Sequence, residues 1–168
     1  PNCFGQNNAS LSVQATGGTG TLNYTLTPGG IQNTNGSFSN LLAGNYTVTV
    51  VDQNLCSTST VVTITQPAAL NWGSISSTIP SCVPGNDASI TVNVNGGTPN
   101  YQYAIGGSFQ PSNQFSGLGA GSYTVTASDF NACSIQTVVV VNGPAAINWV
   151  ANNANPVTCF GGSNGSII

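Results

Sequence analysis

The 168-residue chain contains no lysine, arginine, histidine or methionine, and its only carboxylate side chains are Asp52, Asp87 and Asp129. Charged residues make up 2% of the sequence, against about 25% in ordinary globular proteins. Binding to phosphate backbones and to anionic lipid surfaces depends on Lys and Arg, so nucleic acid and membrane surfaces are not expected partners. No apolar run approaches the roughly 18 residues of a membrane-spanning helix, and membrane insertion is not expected.

Catalysis is not expected from this set of side chains, because a mechanism needs a base, an acid, a nucleophile or a metal held together. The three Asp are far apart in the sequence, and a Ser without an adjacent base is inert. No cofactor and no metal are expected, since Ca²⁺ takes six or more oxygens and usually several carboxylates. We interpret Asp52 and Asp129, each four residues before a Cys, as Asx-turn residues. Asp87 aligns with Asn8 and is interpreted as a turn residue.

The remaining composition is that of a folded β protein, with two Trp, five Tyr, six Phe and abundant Val, Ile and Thr. Apolar residues alternate with polar ones in several runs, for example at Leu11, Val13 and Ala15. This period of two is typical of half-buried strands, and Gly, Asn and Pro separate the runs. We predict an all-β fold of tandem Ig-like antiparallel β-sandwich repeats. The run Val138–Val141 predicts a strand buried on both faces.

Internal repetition is the strongest pattern in the sequence. "LLAGNYTVTVVDQNLC" at 41–56 and "LGAGSYTVTASDFNAC" at 118–133 are identical at ten of sixteen positions and lie 77 residues apart. A fixed period of this size indicates a tandem array in which each unit contacts its neighbours. The repeat unit is therefore predicted to have about 77 residues.

The repeat divides the chain into three parts. Residues 1–67 form a repeat that lacks its first strand, residues 68–144 form a complete repeat, and residues 145–168 start a third one. We therefore expect the chain to be a piece of a longer array.

Five cysteines supply covalent links for these small units. The favoured pairing joins Cys3 to Cys56 and Cys82 to Cys133, with the partner of Cys159 outside the chain. A rival pairing joins Cys56 to Cys82 and Cys133 to Cys159, and the sequence leaves both open. Closing a loop of the favoured length should stabilise a unit by about 4 kcal/mol on the chain-entropy model. Either pairing indicates an oxidising compartment.

Five aromatic residues are candidate contact residues. Phe4 and Phe160 each follow a Cys, and Phe130 lies in the turn after Asp129. Trp72 and Trp149 lie at the junctions between repeats, where burial in the core or against the next unit is favoured over stacking on a sugar ring.

The segments "CFGQNNASLSVQATGGTGTLNYTL" and "FSNLLAGNYTVTVVDQNLC" resemble the SprB-type repeat of large cell-surface proteins in the Bacteroidota. "CVPGNDASITVNVNGGTPNYQYAI" and "FSGLGAGSYTVTASDFNAC" resemble it in the same order. The resemblance implies a huge adhesin that is exported by the type IX secretion system and carried along the cell surface in gliding species.

The expected function is that of a structural and adhesive repeat region, which forms an extended stalk or filament for surface attachment and gliding motility. Its expected location is the bacterial cell surface, associated with the outer membrane. Expected partners are neighbouring repeats of the same chain, together with a substratum, a glycan or other cell-surface proteins. Two alternatives stay open: a subunit of a multi-chain extracellular filament, and a carbohydrate-binding module.

Overall fold

The computed structural model describes residues 1–145, 147–148, 154–155, 160 and 166–167, and this part of the chain forms strands and turns with no helix. The strands of these residues are, in chain order, β1 (Ala9–Ser12), β2 (Asn23–Thr27), β3 (Ile31–Asn33), β4 (Ser37–Leu41), β5 (Gly44–Val51), β6 (Ser57–Ile64), β7 (Asn71–Ser77), β8 (Ala88–Asn95), β9 (Gln102–Ile105), β10 (Gln114–Leu118), β11 (Gly121–Ser128), β12 (Ser134–Val141), β13 (Ala154–Asn155) and β14 (Ser166–Ile167). The all-β prediction is confirmed.

Strands β1 to β6 form the first sandwich. One of its sheets pairs β1 with β4, and the other has the order β3-β2-β5-β6, with every pair antiparallel. Along β5 the side chains of Tyr46, Val48 and Val50 are buried, and the threonines between them face outward. Each such apolar side chain contributes about 1.5–3 kcal/mol when it is fully buried. The core of the first sandwich consists of Tyr24, Leu26, Phe38, Leu41, Tyr46, Val48 and Val50.

Strands β7 to β12 form the second sandwich, with the sheet orders β10-β8-β7 and β12-β11-β9. Its core consists of Ala88, Ile90, Val92, Val94, Tyr103, Val125, Ala127, Val139 and Val141. The first core and the side chains packed on it come from residues 9–64, and the second set comes from residues 70–141. The two cores therefore share no residue among those that the structure describes.

The strand that contains Leu11 is shorter than its counterpart in the second sandwich. β8 is paired on both sides, by β7 and by β10, and runs for eight residues. β1 is paired only with β4 among the described residues, and it ends at Ser12. Val13 and Ala15 are half-buried, as the predicted alternation requires, but they lie beyond the end of the β1 strand.

The prediction of a doubly buried strand at Val138–Val141 is wrong. Val139 and Val141 are buried, whereas Val138 is 61% exposed and Val140 is 54% exposed. β12 lies in one sheet of a two-layer sandwich, so its inner face packs on the core and its outer face is open to solvent.

A tyrosine corner fixes the start of the long central strand in each sandwich. The Tyr46 hydroxyl donates to the carbonyl oxygen of Leu42 at 3.2 Å, and the Tyr123 hydroxyl donates to that of Gly119 at 3.0 Å. The repeated Leu-x-Ala-Gly-x-Tyr sequence therefore encodes a bond from a strand back to the turn four residues before it. Such corners are a feature of Ig-like sandwiches.

Candidate inter-repeat junction

Each sandwich has an Asx turn directly before its last strand. Oδ1 of Asp52 accepts the backbone N–H groups of Asn54 and Cys56, both at 2.9 Å. Oδ1 of Asp129 accepts those of Asn131 and Cys133, also at 2.9 Å. The interpretation of both Asp residues as turn formers is confirmed.

The second carboxylate oxygen binds a loop that sequence reasoning did not connect to the turn. Thr19 donates its N–H to Oδ2 of Asp52 at 2.9 Å, and Thr98 donates to Oδ2 of Asp129 at 2.8 Å. Gly97 precedes Thr98 with φ +61°, and a Cβ at this position would lie 2.7 Å from Oδ2 of Asp129. The second glycine of the Gly-Gly-Thr loop is therefore required both for the positive φ and for the close approach to the carboxylate.

Hydrogen bonds lower the pKa of Asp52 and that of Asp87. The pKa of Asp52 is lowered from its ordinary value, first by the N–H of Thr19 and next by that of Cys56, while burial acts in the opposite direction. The pKa of Asp87 is lowered by the backbone N–H and the hydroxyl of Ser81. The chain has no Lys, Arg or His, so backbone and hydroxyl donors stabilise these carboxylates without a cationic side chain.

The loop that precedes β1 and the loop that precedes β8 have the same internal bond. The N–H of Asn2 is donated to Oδ1 of Asn8 at 3.1 Å, and the N–H of Ser81 is donated to Oδ1 of Asp87 at 2.9 Å. The interpretation of Asp87 as a turn residue that Asn can replace is confirmed. We call these segments, residues 2–8 and 81–87, the Cys3 loop and the Cys82 loop.

The disulfide bond of the structure joins the two sandwiches. Cys3 is bonded to Cys133, 130 residues later, and their Cα atoms are 5.8 Å apart. Cys56 and Cys82 are free and exposed. The favoured pairing of Cys3 with Cys56 and of Cys82 with Cys133 is therefore wrong.

The rival pairing is wrong as well. Cys56 and Cys82 are not bonded to each other, and Cys133 is already occupied by Cys3. Cys159 lies outside the described residues, so its partner stays a prediction.

The favoured pairing fails for a geometric reason: the two cysteines of a unit lie at opposite ends of its sandwich. Gly5, next to the Cys3 position, donates its N–H at 2.7 Å to Oε1 of Gln66, which lies just beyond the end of β6. Cys56 directly precedes the other end of the same strand. An eight-residue strand separates its ends by roughly 25 Å, whereas a disulfide requires Cα atoms within about 7 Å.

The second sandwich has the same arrangement. A Cβ on Gly143, beyond the end of β12, would lie 3.5 Å from Cγ2 of Val83 in the Cys82 loop. Cys133 directly precedes the start of β12. Each sandwich therefore carries one cysteine at each end, and a disulfide between them can form only from one repeat to another.

Polar contacts accompany the disulfide at the junction. The side-chain amide of Asn131 donates to the backbone oxygen of Asn2 at 3.0 Å and to Oγ1 of Thr98 at 2.9 Å. Gly97 donates its N–H to the backbone oxygen of Ala68, in the linker between the sandwiches, at 2.8 Å. The Cys3 loop, the linker and the Asx turn of Asp129 together enclose a cleft of about 420 Å³.

The candidate contact residues have different environments. Phe4 is 58% exposed and lines the junction cleft, while Phe130 is 69% exposed and Phe160 is fully exposed. Trp72 is half-buried against the second core, and its Nε1 has no hydrogen-bond partner among the described residues. Trp149 lies outside the described residues. A binding role for these five aromatics stays a prediction.

Neither a metal-ion site nor a membrane-spanning helix is found in the described residues. The described part of the chain holds no group of three His, Cys, Asp or Glu side chains that could bind a metal ion. Within that part, no helix of the length and apolarity needed to span a membrane is found.

Comparison with known proteins identifies the repeat. The SprB repeat family model matches residues 1–30 and 74–108, which contain the Cys3 and Cys82 loops, the Gly-Gly-Thr loops and the strands on either side of them. No curated protein matches the chain. SprB repeats are a structural repeat family that is found in cell-surface proteins. The match at these two segments confirms the predicted resemblance to the SprB-type repeat.

Proposed function

We propose that these repeats form part of an extended stalk in a very large bacterial adhesin, which holds a distal binding region away from the cell envelope. The observation that carries the proposal is the bond between Cys3 and Cys133. It ties one repeat to the next in addition to the peptide linker.

The bond changes the path of a pulling force. Tension applied at the two ends of the chain passes from Cys3 directly to Cys133, so the residues between them carry little of it. The first core lies within this loop, and so does the second core apart from Val139 and Val141, which belong to β12 and follow Cys133. The first sandwich and strands β7 to β11 are therefore shielded from a load that would extend an uncrosslinked chain, whereas β12 lies outside the closed loop. Shielding of this kind is the property that a stalk under fluid drag requires.

The uncharged surface supports the same function. With a formal net charge of -3 spread over 168 residues, neighbouring repeats repel one another weakly. Their contacts include backbone and amide hydrogen bonds and a disulfide, neither of which salt screens as it screens ion pairs. A stalk built in this way keeps its shape across a wide range of ionic strength.

The finer parts of the proposal concern location and adhesion. The stalk would be displayed outside the cell, exported by type IX secretion and attached at the outer membrane. Adhesion would come from many weak contacts with a substratum or glycan, whose combined avidity exceeds the affinity of any one contact. The protein acts mechanically in this proposal, and no chemical step is assigned to it.

Electron microscopy of cells that produce the protein tests the proposal. Gold-labelled antibodies raised against the 168-residue chain should decorate single threads that project from the cell surface. A labelled filament with many chains in each cross-section would contradict the stalk and favour the multi-chain assembly. Label confined to the cell interior would contradict both.

A further inference from the structure

The first sandwich carries an unoccupied copy of the surface that binds the Cys3 loop in the second sandwich. In the second sandwich this surface consists of the Asx turn of Asp129, the Gly-Gly-Thr loop at Thr98 and the side chains of Asn131 and Cys133. All these groups recur in the first sandwich as Asp52, Thr19, Asn54 and Cys56, with the same backbone hydrogen bonds to the Asp carboxylate.

The groups that contact the Cys3 loop in the second sandwich are unused in the first. Asn131 donates its side-chain amide to Asn2 and Thr98, whereas the amide of Asn54 donates to no residue that the structure describes. The thiol of Cys56 is free and exposed, and the neighbouring Leu55 is 82% exposed. Beside them lies an open cleft of about 230 Å³, lined by Ala15, Gly18 and Leu22 as well as Asp52 and Cys56.

We propose that this surface binds the cysteine loop of another SprB-type repeat, and that the cysteine of that loop forms a disulfide bond with Cys56. The second sandwich supplies the precedent, because the same residues in the same geometry hold such a loop there. The occupant is a loop of the Asn-Cys-Phe-Gly type, whose backbone oxygen before the cysteine accepts the amide of Asn54. Its apolar residue after the cysteine packs near Leu55.

The Cys82 loop is the matching half of the same interaction. It has the internal bond of the Cys3 loop, an exposed thiol at Cys82 and an exposed Val83 in the place of Phe4. Each repeat therefore offers one loop and one receiving surface at opposite ends, which is a head-to-tail contact that does not close on itself. Such contacts continue along an array, so the link between Cys3 and Cys133 is one member of a series.

Formation of this bond is a two-electron oxidation, and a second disulfide serves as the oxidant. Two thiols, that of Cys56 and that of the incoming loop, lose two electrons and two protons. A small disulfide or an oxidised dithiol protein accepts them and becomes two thiols, through a mixed disulfide in which one thiolate attacks sulfur and another leaves.

The test uses the 168-residue chain with its bond between Cys3 and Cys133 intact. The probe is a peptide with the sequence of residues 1–8, whose cysteine is supplied as a mixed disulfide with thionitrobenzoate. Attack by a thiolate of the chain on the peptide sulfur releases the coloured thionitrobenzoate anion. Peptide mapping by mass spectrometry then reports how much peptide is attached to Cys56 and how much to Cys82, which serves as the matched exposed thiol.

For each thiol, the rate with the peptide is divided by the rate with a small reagent, the symmetrical disulfide of thionitrobenzoate. This ratio should be about tenfold larger for Cys56 than for Cys82, which corresponds to a docking free energy of about 1.4 kcal/mol. Asn54→Ala should remove much of this preference while the small-reagent rates stay unchanged. The proposal is overturned if the peptide shows no preference beyond that of the small reagent, or if Asn54→Ala leaves the preference intact. The inference shares with the proposed function the idea that repeats join end to end. Its failure would still leave the stalk supported by the link already present between Cys3 and Cys133.

Discussion

Thr19 donates its backbone N–H to the carboxylate of Asp52, although 33 residues separate them in the sequence. Asp52 is only 6% exposed, and no cationic side chain exists anywhere in the chain to pair with it. A buried carboxylate normally requires a charged partner or several hydrogen bonds. In this protein three backbone N–H groups provide all of the compensation.

The first prediction concerns pH. The folded pKa of Asp52 lies below its ordinary value, so its contribution to stability is present above the unfolded pKa of about 3.9 and is lost as the pH falls through the folded pKa. Asp87 acts in the same direction. The free energy of unfolding should therefore be nearly constant from about pH 5 to 8 and should decrease below about pH 4. Urea unfolding at a series of pH values measures it, and greater stability at pH 3 than at pH 6 would contradict the prediction.

The second prediction concerns the bond between turn and loop in the second sandwich. Asp129→Asn keeps an acceptor for Asn131 and Cys133 but replaces Oδ2, which accepts the N–H of Thr98, by an amide donor. The loss of one hydrogen bond to a charged acceptor should lower the unfolding free energy of this sandwich by about 1.5–3 kcal/mol. Asp87→Asn is the control, since Asn8 already occupies the equivalent position in the first sandwich. Equal losses in both variants would argue against a special role for the Asp129 carboxylate.

The third prediction concerns the tyrosine corner. Tyr123→Phe removes only the hydroxyl that donates to Gly119 and should cost about 1 kcal/mol of stability. Tyr103→Phe is a suitable comparison, because Tyr103 is buried in the same core and its hydroxyl donates to no residue that the structure describes. Chemical denaturation of the two variants should show the larger loss for Tyr123→Phe. If the Tyr103→Phe loss is as large, the corner does not contribute as a hydrogen bond.

The strands could be predicted from the sequence because their physics is local. Tyr46, Val48 and Val50 alternate with polar or outward-facing residues, including Thr47 and Thr49, and this alternation is sufficient to predict a strand with one buried face. The same rule was misleading at Val138–Val141, because four consecutive valines do not reveal whether one face of the sheet is covered or both. In a two-layer sandwich the outer face of each sheet stays in solvent, as it does for β12.

The candidate junction could be predicted only in part. The repeated Asp-x-x-x-Cys sequence is sufficient to identify an Asx turn, because every atom involved lies within five residues. The bond from Thr19 to Asp52 and the link from Cys3 to Cys133 join segments that are far apart, and no local pattern encodes them. No local pattern shows that a cysteine before β1 or β8 and a cysteine before the last strand of the same sandwich lie at opposite ends.

The last prediction concerns force. When the chain is pulled from its two ends in an atomic force microscope, the bond between Cys3 and Cys133 should prevent extension of the 130-residue segment that it closes. Cys133→Ser should release that segment, which adds about 450 Å of contour length at 3.3–3.6 Å per residue. Cys82→Ser is the matched control, because Cys82 is also exposed but forms no bond in this structure, and its extension should equal that of the unmodified chain. Treatment of the unmodified chain with a reducing agent should reproduce the Cys133→Ser result. If the oxidised chain already extends by the full length, tension does not pass through the disulfide, and the repeats would have to resist force by the strength of their sandwiches alone.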